Sequence, residues 1–403
     1  MKIFYYLFSL LFVFEIHAQK LRTTQPTNYL REGPASYFQI IAMIREQVDV
    51  MKLDQKGSWL KVKTDENDIG WLSENSFVVR GGTDVRDERV VKGKASSRAS
   101  RAELAAAVKG FGKKYVEGSE EPAEDISKYS SPEVTPDDME KFEHSFTIEP
   151  YRGSMNIEKP FDIFFHEEAI GLGIAQKIAK QKGLIDDPTA TRYINLIGNY
   201  LSKYTKAYDL GFRFYILNDE RASAFACPGG YIFITKGIFK VCNNEAELAA
   251  VIAHEMSHIT QRHGLKELKK SEAKIKAEQA FAELEEETEP MSEEEKELEE
   301  YATTAYNNLI APRLLEYEEE ADKLAMVYLR RAGYDPTALL NVLSRLQEMP
   351  KTMPDIFDDN YMKKDEFSQR LATVSSIIRS EGYRSSLSKQ FAERYRQYTV
   401  GVR

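Results

Sequence analysis

The apolar segment ELAAVIAHEMSHI, at residues 247–259, restricts the fold of this chain more than any other feature. Its length and apolar content are typical of a helix buried in a core, and Asn244 is placed to cap that helix. After its first residue, Glu247, the segment nevertheless carries three ionisable residues, His254, Glu255 and His258. Ionisable groups inside a core need a partner or a chemical task. We therefore expect a buried helix that carries a site.

The spacing of the two histidines predicts a metal site. Residues four apart lie one turn apart on the same face of a helix, so His254 and His258 can bind one ion. Glu255 projects to the side, where its carboxylate can reach a water on that ion. Zinc suits such ligands, and a catalytic zinc has three protein ligands and a water. The same pattern also occurs in helices that bind no metal, and His263 is expected beside the site or at the surface.

A second helical stretch, residues 314–336, can supply the third ligand. Its Glu318 and Asp322 are one turn apart, and the alanines among them imply a buried side that Glu318 shares. Glu318 would complete a site of two histidines and one carboxylate, and Asp322 could accept a hydrogen bond from a ligand imidazole. The alternative is a solvated acidic helix face, which fits most of the neighbouring glutamates.

The segment PGGYIFIT, residues 228–235, predicts a substrate-binding strand. Gly229 and Gly230 lack a Cβ and so allow another backbone to approach closely. The strand that begins at Tyr231 could then pair with an extended substrate and present its carbonyl to the metal. A plain turn followed by a strand is the alternative.

Between residues 167 and 370 the chain contains, in order, EEAIGLGIAQKIAKQKGLIDDPTATRYINLIGNYL, ASAFACPGGYIFITKGIF, NNEAELAAVIAHEMSHITQRHG and EYEEEADKLAMVYLRRAGYDP. Together these segments resemble the zinc metalloendopeptidase family that includes the CAAX prenyl proteases, the HtpX heat-shock protease and BepA-type periplasmic proteases. The resemblance implies a mainly helical gluzincin domain with a small sheet and one Zn²⁺ per chain. It also assigns roles, with Glu255 as catalytic base, Asp322 behind a ligand, and the zinc ligands His254, His258 and Glu318.

Two positions depart from the family pattern. Ser223 stands where the family usually has Asn in an N-A-F-A element. Lys364 stands where the family commonly has a His six residues before an Arg, which is present here as Arg370. That His is a candidate donor to the transition state, so Lys364 or Arg370 is left as the candidate for this catalytic role.

The N-terminal region has short β-like runs separated by polar turns, which is typical of a small barrel. It resembles the bacterial Src-homology-3-like domain at three elements, which are Leu30-Arg31-x-Gly33-Pro34, Gly57-x-Trp59-x-Lys61-Val62 and Gly70-Trp71. The resemblance implies a module that binds peptides or cell wall. A barrel that only packs against the enzyme domain is the alternative.

The predicted fold class is α+β and multidomain. The first segment has one basic residue, a short apolar run and Ala18, which predicts a cleaved secretory signal peptide and no transmembrane anchor afterwards. The domains are a signal peptide at 1–18, the barrel at 19–80, a largely disordered linker at 81–150 with a helix after Ser100, and the peptidase domain at 151–403. An acidic insert at 266–300 is expected to be a solvated lid or hairpin, with a partner site as the alternative.

The predicted function is that of an exported zinc metalloendopeptidase, periplasmic or secreted. Its partners would be protein or peptide substrates, and the resemblance implies envelope or misfolded proteins, with peptidoglycan or peptides as possible ligands of the barrel. Nucleic acid is excluded as a partner, because 64 acidic residues exceed 55 basic ones and no basic face is clustered. The alternatives are a cell-wall peptide-binding protein and a peptidoglycan hydrolase, with a structural or weakly active metal site. The two cysteines, Cys227 and Cys242, favour a buried free pair over a disulfide.

Overall fold

The computed structural model of the chain describes residues 19–78, 98–100, 134–146, 161–268, 314–357, 364–386 and 389–403. The predicted signal peptide, the helix expected after Ser100 and nearly all of the acidic insert lie outside these residues. Among the described helices, none combines the length and apolar content that crossing a bilayer requires.

Seven antiparallel strands form the N-terminal sheet. They are β1 (Lys20–Arg22), β2 (Thr27–Arg31), β3 (Ile40–Arg45), β4 (Asp49–Lys56), β5 (Trp59–Thr64), β6 (Ile69–Ser73) and β7 (Arg98–Ser100). Alternate residues point to one face because side chains alternate along a strand. The resulting small core consists of Leu30, Ala42, Ile44, Val50, Leu60, Val62 and Leu72.

The N-terminal β-rich region is confirmed, but the closed barrel is wrong. The strand order is β1-β4-β5-β6-β2-β3-β7, and no described strand joins the two ends. Strand β3 pairs with β2 on one edge and with β7 on the other. It therefore has no edge left for its hairpin neighbour β4. Strand β7 and the first helix below lie within the stretch 81–150 that the sequence predicts to be a linker.

The second part of the structure is mainly helical with a small sheet, as predicted. Its helices are α1 (Pro136–Glu143), α2 (Phe165–Lys182), α3 (Pro188–Ser202), α4 (Lys236–Val241), α5 (Glu245–Thr260), α6 (His263–Leu268), α7 (Leu315–Ala332), α8 (Ala338–Thr352), α9 (Lys364–Ser380) and α10 (Ala392–Tyr398). Its sheet contains β8 (Arg213–Leu217), β9 (Ala224–Cys227) and β10 (Tyr231–Thr235) in the order β8-β10-β9. Cys227 and Cys242 are buried and do not form a disulfide.

Helix α5 is the buried helix that the sequence predicts, since each of its residues is buried. The side chain of Asn244 caps it by accepting a hydrogen bond of 3.0 Å from the backbone of Glu247. At the same end, Glu245 accepts hydrogen bonds from Tyr193 and Tyr334 at 2.6 and 2.7 Å, and Arg394 of α10 pairs with it. These contacts fix the helix between α3 and the C-terminal segment.

The N-terminal sheet docks on the helical part through buried polar contacts. Tyr29 of β2 donates a hydrogen bond of 2.5 Å to Glu168 of α2. Asp209 accepts hydrogen bonds from Ser73 at 2.5 Å and from Asn75 at 3.3 Å. Trp59 adds an edge-to-face contact with Tyr208 at a centroid distance of 5.9 Å. The sheet is thus held against the helical part at several points.

Candidate metal centre

Helices α5 and α7 bring together the three residues predicted as metal ligands. The Nε2 atoms of His254 and His258 are 3.0 Å apart. The Glu318 carboxylate lies 3.3 Å from the first of these atoms and 3.4 Å from the second. Within the described residues, these three side chains form the one group of His, Cys, Asp or Glu with ligand atoms all within 4.8 Å of one another.

These separations fit a small tetrahedral ion. Zinc binds imidazole nitrogen and carboxylate oxygen at about 2.0–2.2 Å, so ligand atoms around a tetrahedral zinc stand about 3.3 Å apart. The donor set of two imidazoles and one carboxylate is also one that zinc accepts in catalytic sites. The residues present therefore fit a zinc ion with one ligand position left for water.

The Glu318 carboxylate is held in its charged form. Burial raises its pKa, but the Arg370 charge and the two histidines outweigh that effect and hold the pKa well below 4.5. For His254, burial lowers the pKa, whereas Asp322 and Glu318 raise it to about 9 in the metal-free protein. The two charged carboxylates, Glu318 and Asp322, thus stabilise positive charge at the ligand cluster, which a bound cation would supply in place of the His254 proton.

Asp322 lies behind His254, as predicted. Its Oδ1 atom is 2.9 Å from His254 Nδ1, the ring nitrogen that faces away from Glu318. The side chain of Asp322 is fully buried. Burial raises the pKa of Asp322, but Arg370 and His254 lower it by a larger amount, so the pKa lies below its ordinary value. A charged Asp322 at this distance orients the imidazole with Nε2 toward the ligand cluster.

Arg370, from α9, contacts both carboxylates. Its Nε and Nη2 atoms donate hydrogen bonds of 2.8 Å to the two oxygens of Asp322, and its Nη1 atom lies 2.8 Å from a Glu318 oxygen. The sequence indicated that Arg370 belongs to the site, but not that it contacts Asp322 and Glu318. Lys364, the other candidate, begins α9.

Glu255 lies in a pocket beside the ligands and is almost fully buried, at 2% exposure. The pocket also contains one ligand from each helix, His254 and Glu318. Its other walls are mainly apolar and come from β9, α4, α5, α8 and α9, with lining residues that include Ala224, Ile238, Val251, Leu339, Val342, Leu343, Leu346 and Phe367. The pocket can therefore hold an apolar side chain next to the carboxylate of Glu255.

His263 supports the other ligand histidine, a contact that the sequence left undecided. The Nδ1 atoms of His258 and His263 are 2.9 Å apart, and His263 Nε2 is 3.1 Å from a Glu320 oxygen. His263 is fully buried. The sequence signal for this contact was weak, because Glu320 is one of several acids on a partly exposed helix.

Another backbone does approach Gly229 and Gly230 closely, but it belongs to this chain and not to a substrate. A Cβ at Gly229, where φ is 73°, would lie 2.5 Å from the Glu168 Cα atom. Strand β10, which starts at Tyr231, is paired with β8 on one edge and β9 on the other. Both edges of β10 are therefore occupied within the sheet, none of these three residues lines the pocket at Glu255, and their role in substrate binding stays a prediction.

The candidate site thus combines two histidines one turn apart on one helix with a carboxylate from a second helix, a donor set that catalytic zinc sites use. Residues 188–358, less than half of the chain, match the sequence profile of peptidase family M48. The match covers both helices that supply the metal ligands.

The chain is also similar to characterised proteases. It is 31% identical to the beta-barrel assembly-enhancing protease of Yersinia pestis over 188 residues, which is 46% of this chain and 38% of the relative. The protein of that name from Escherichia coli K12 is 29% identical over 171 residues, 42% of this chain and 35% of the relative. The mitochondrial metalloendopeptidase OMA1 of Schizosaccharomyces pombe is 32% identical over 78 residues, 19% of this chain and 23% of the relative. The chain thus spans well under half the length of each.

Proposed function

We propose that this protein is an exported zinc metalloendopeptidase that hydrolyses peptide bonds of envelope or misfolded proteins. The observation that carries the proposal is the cluster of His254, His258 and Glu318, whose ligand atoms lie within 4.8 Å of one another. The M48 domain and the protease relatives support the same activity. Export is proposed from the sequence pattern of residues 1–18.

In this proposal, the chain's own residues move the proton. A bound zinc ion supplies a Lewis acid and lowers the pKa of its water toward about 7. Glu255 takes the proton of the attacking water and later gives it to the leaving amine. Its burial beside His254 and Glu318 supports this role, because a base must be within reach of the water on the ion.

Arg370 is proposed as a positioning residue. Three of its nitrogen atoms already contact Asp322 and Glu318. Its charge keeps both carboxylates ionised, and its planar guanidinium fixes their orientation. These contacts favour this role over that of a transition-state donor, although Arg370 also lines the pocket.

The apolar pocket supports a preference for substrates with a large aliphatic or aromatic side chain next to the scissile bond. Such side chains are buried in folded proteins and become accessible in unfolded ones. The names of the bacterial relatives refer to the assembly of β-barrels. We therefore propose unassembled envelope proteins as the substrate class.

The test is casein hydrolysis by the purified full chain, with metal content measured on the same samples. Glu255→Gln should keep its zinc and lose at least about 100-fold in activity, since a general base contributes about 10²–10⁴. Glu348→Gln makes the same change at an exposed position of α8 and should leave activity unchanged. Equal hydrolysis by Glu255→Gln and wild type would rule out the mechanism, and a wild type without zinc would rule out the site.

A further inference from the structure

We infer that His263 is a positioning residue for the zinc ligand His258, and that Glu320 fixes the proton arrangement of His263. The inference rests on the proposed zinc site. It extends the site to a series of three side chains, the buried His258 and His263 and the partly exposed Glu320, that runs from the candidate ligands toward the surface.

The proton positions in this series follow from what each group can accept. A carboxylate accepts hydrogen bonds, so the Nε2 atom of His263, 3.1 Å from Glu320, carries the hydrogen. The Nδ1 atom of a neutral His263 is then an acceptor. It lies 2.9 Å from His258 Nδ1, which therefore donates. His258 keeps the lone pair on Nε2, the atom that faces His254 and Glu318.

The position of His263 is fixed by its packing. Its ring stacks on Tyr317 with a centroid distance of 4.4 Å and an interplanar angle of 10°. Tyr317 and Glu320 are three residues apart on α7 and so lie on the same side of that helix. Helix α7 therefore supplies a ligand, Glu318, and the groups that support both histidine ligands.

The backbone before His263 adopts a conformation that serves this contact. Arg262 has a φ of 54°, in the left-handed region that residues with a side chain rarely adopt. The Arg262 side chain is held by Glu167 at 3.1 Å and lies 4.2 Å from the ring centre of Phe161. This left-handed residue follows the end of α5 and directs His263 back toward His258, five residues earlier.

Zinc affinity of the full chain, measured by competition with a chelator, tests the inference. His263→Ala and His263→Gln should bind zinc about 10–100-fold more weakly than wild type, as expected when a partner of a metal-ligating histidine is removed. His144→Ala, at an exposed position after α1, is the matched control and should not change affinity. Equal affinity of the His263 variants and wild type would overturn the inference. A wild type that binds no zinc would instead overturn the proposed function.

Nitrogen-15 NMR of the zinc-loaded wild type tests the inference without a variant, in case His263 variants do not fold. His263 should carry its hydrogen on Nε2, and a scalar coupling across the hydrogen bond should connect the Nδ1 atoms of His258 and His263. A hydrogen on Nδ1 of His263, or no coupling between the two atoms, would contradict the inference.

Discussion

Arg370 donates hydrogen bonds of 2.8 Å to both oxygens of Asp322, and the same guanidinium reaches Glu318 at 2.8 Å. One cation on α9 therefore contacts two carboxylates on α7, the fully buried Asp322 and the largely buried Glu318. Because Asp322 lies behind His254 and Glu318 is a candidate ligand, this contact links the C-terminal helices to the metal centre.

Removing the charge of Arg370 should destabilise the metal-free protein more than the zinc-loaded protein. Arg370→Gln leaves two buried carboxylates without their partner, and breaking a buried pair costs about 3–5 kcal/mol. Zinc should restore part of this loss, since it also compensates the charge of Glu318. The measurement is urea unfolding with chelator and with zinc. Arg379→Gln, at an exposed position of the same helix, should change stability by less than about 0.5 kcal/mol.

The stability of the metal-free protein should fall as pH rises above neutrality. The pKa of His254 is about 9 when folded against 6.5 when unfolded, because Asp322 and Glu318 outweigh its burial. The stabilisation is complete below pH 6.5 and is lost as pH rises through 9. It amounts to up to about 3 kcal/mol. Urea unfolding in chelator at pH 6 and pH 9.5 should show this loss for wild type, and His254→Gln should show a flatter dependence. Equal slopes would contradict the assignment.

The stability should also decrease in acid through Asp322. Its folded pKa is below the ordinary value of 3.8, because Arg370 and His254 outweigh its burial. A lowered pKa gives stability that is present above the unfolded pKa and is lost as pH falls through the folded one. Asp322→Asn should remove this part of the acid dependence, as measured by unfolding between pH 5 and pH 2. If Asp322→Asn and wild type lost the same stability between pH 5 and pH 2, Asp322 would not be ionised in the folded protein.

The apolar pocket should set the cleavage preference. Leu346→Ala enlarges the pocket at a residue that is 9% exposed. Cleavage should shift about tenfold toward larger side chains, because a methylene or two in an apolar pocket is worth about 1–3 kcal/mol. Peptides that differ only in one residue next to the scissile bond measure the shift. Leu340→Ala, on the same helix but outside the lining, should keep the wild-type profile.

The buried contacts between the two parts of the chain should make them unfold together. Asp209→Ala removes the acceptor of Ser73 and Asn75 and should cost about 2–4 kcal/mol, since it leaves buried donors unsatisfied. Limited proteolysis should then release the N-terminal sheet before the helical part is digested. Wild type should resist cleavage between the two parts.

The arrangement of the candidate metal ligands was largely predictable from the sequence, because it depends on the spacing of residues within two helices. The spacing of His254 and His258, and of Glu318 and Asp322, fixes which side chains share a helix face. Four polar positions on the buried faces of two helices leave few ways to pack them.

Other features depended on distant pairings that no local pattern records. The partner of Arg370 and the contact between His263 and Glu320 depend on how α6, α7 and α9 pack together. The open sheet depends on β7, a strand of three residues that takes the free edge of β3. The position of β10 was not predictable for the same reason. Its sequence indicates a strand, but its central place in the sheet depends on its pairing with β8 and β9. The domain boundaries and the ligand of the N-terminal sheet stay predictions.

The most direct test of the central claim is the anomalous diffraction of crystals of the zinc-loaded full chain. The account predicts one zinc peak about 2.0–2.2 Å from His254 Nε2, His258 Nε2 and a Glu318 oxygen, with a water as the fourth ligand. A zinc peak held by other residues, or a Glu318 side chain that turns away from the ion, would contradict it.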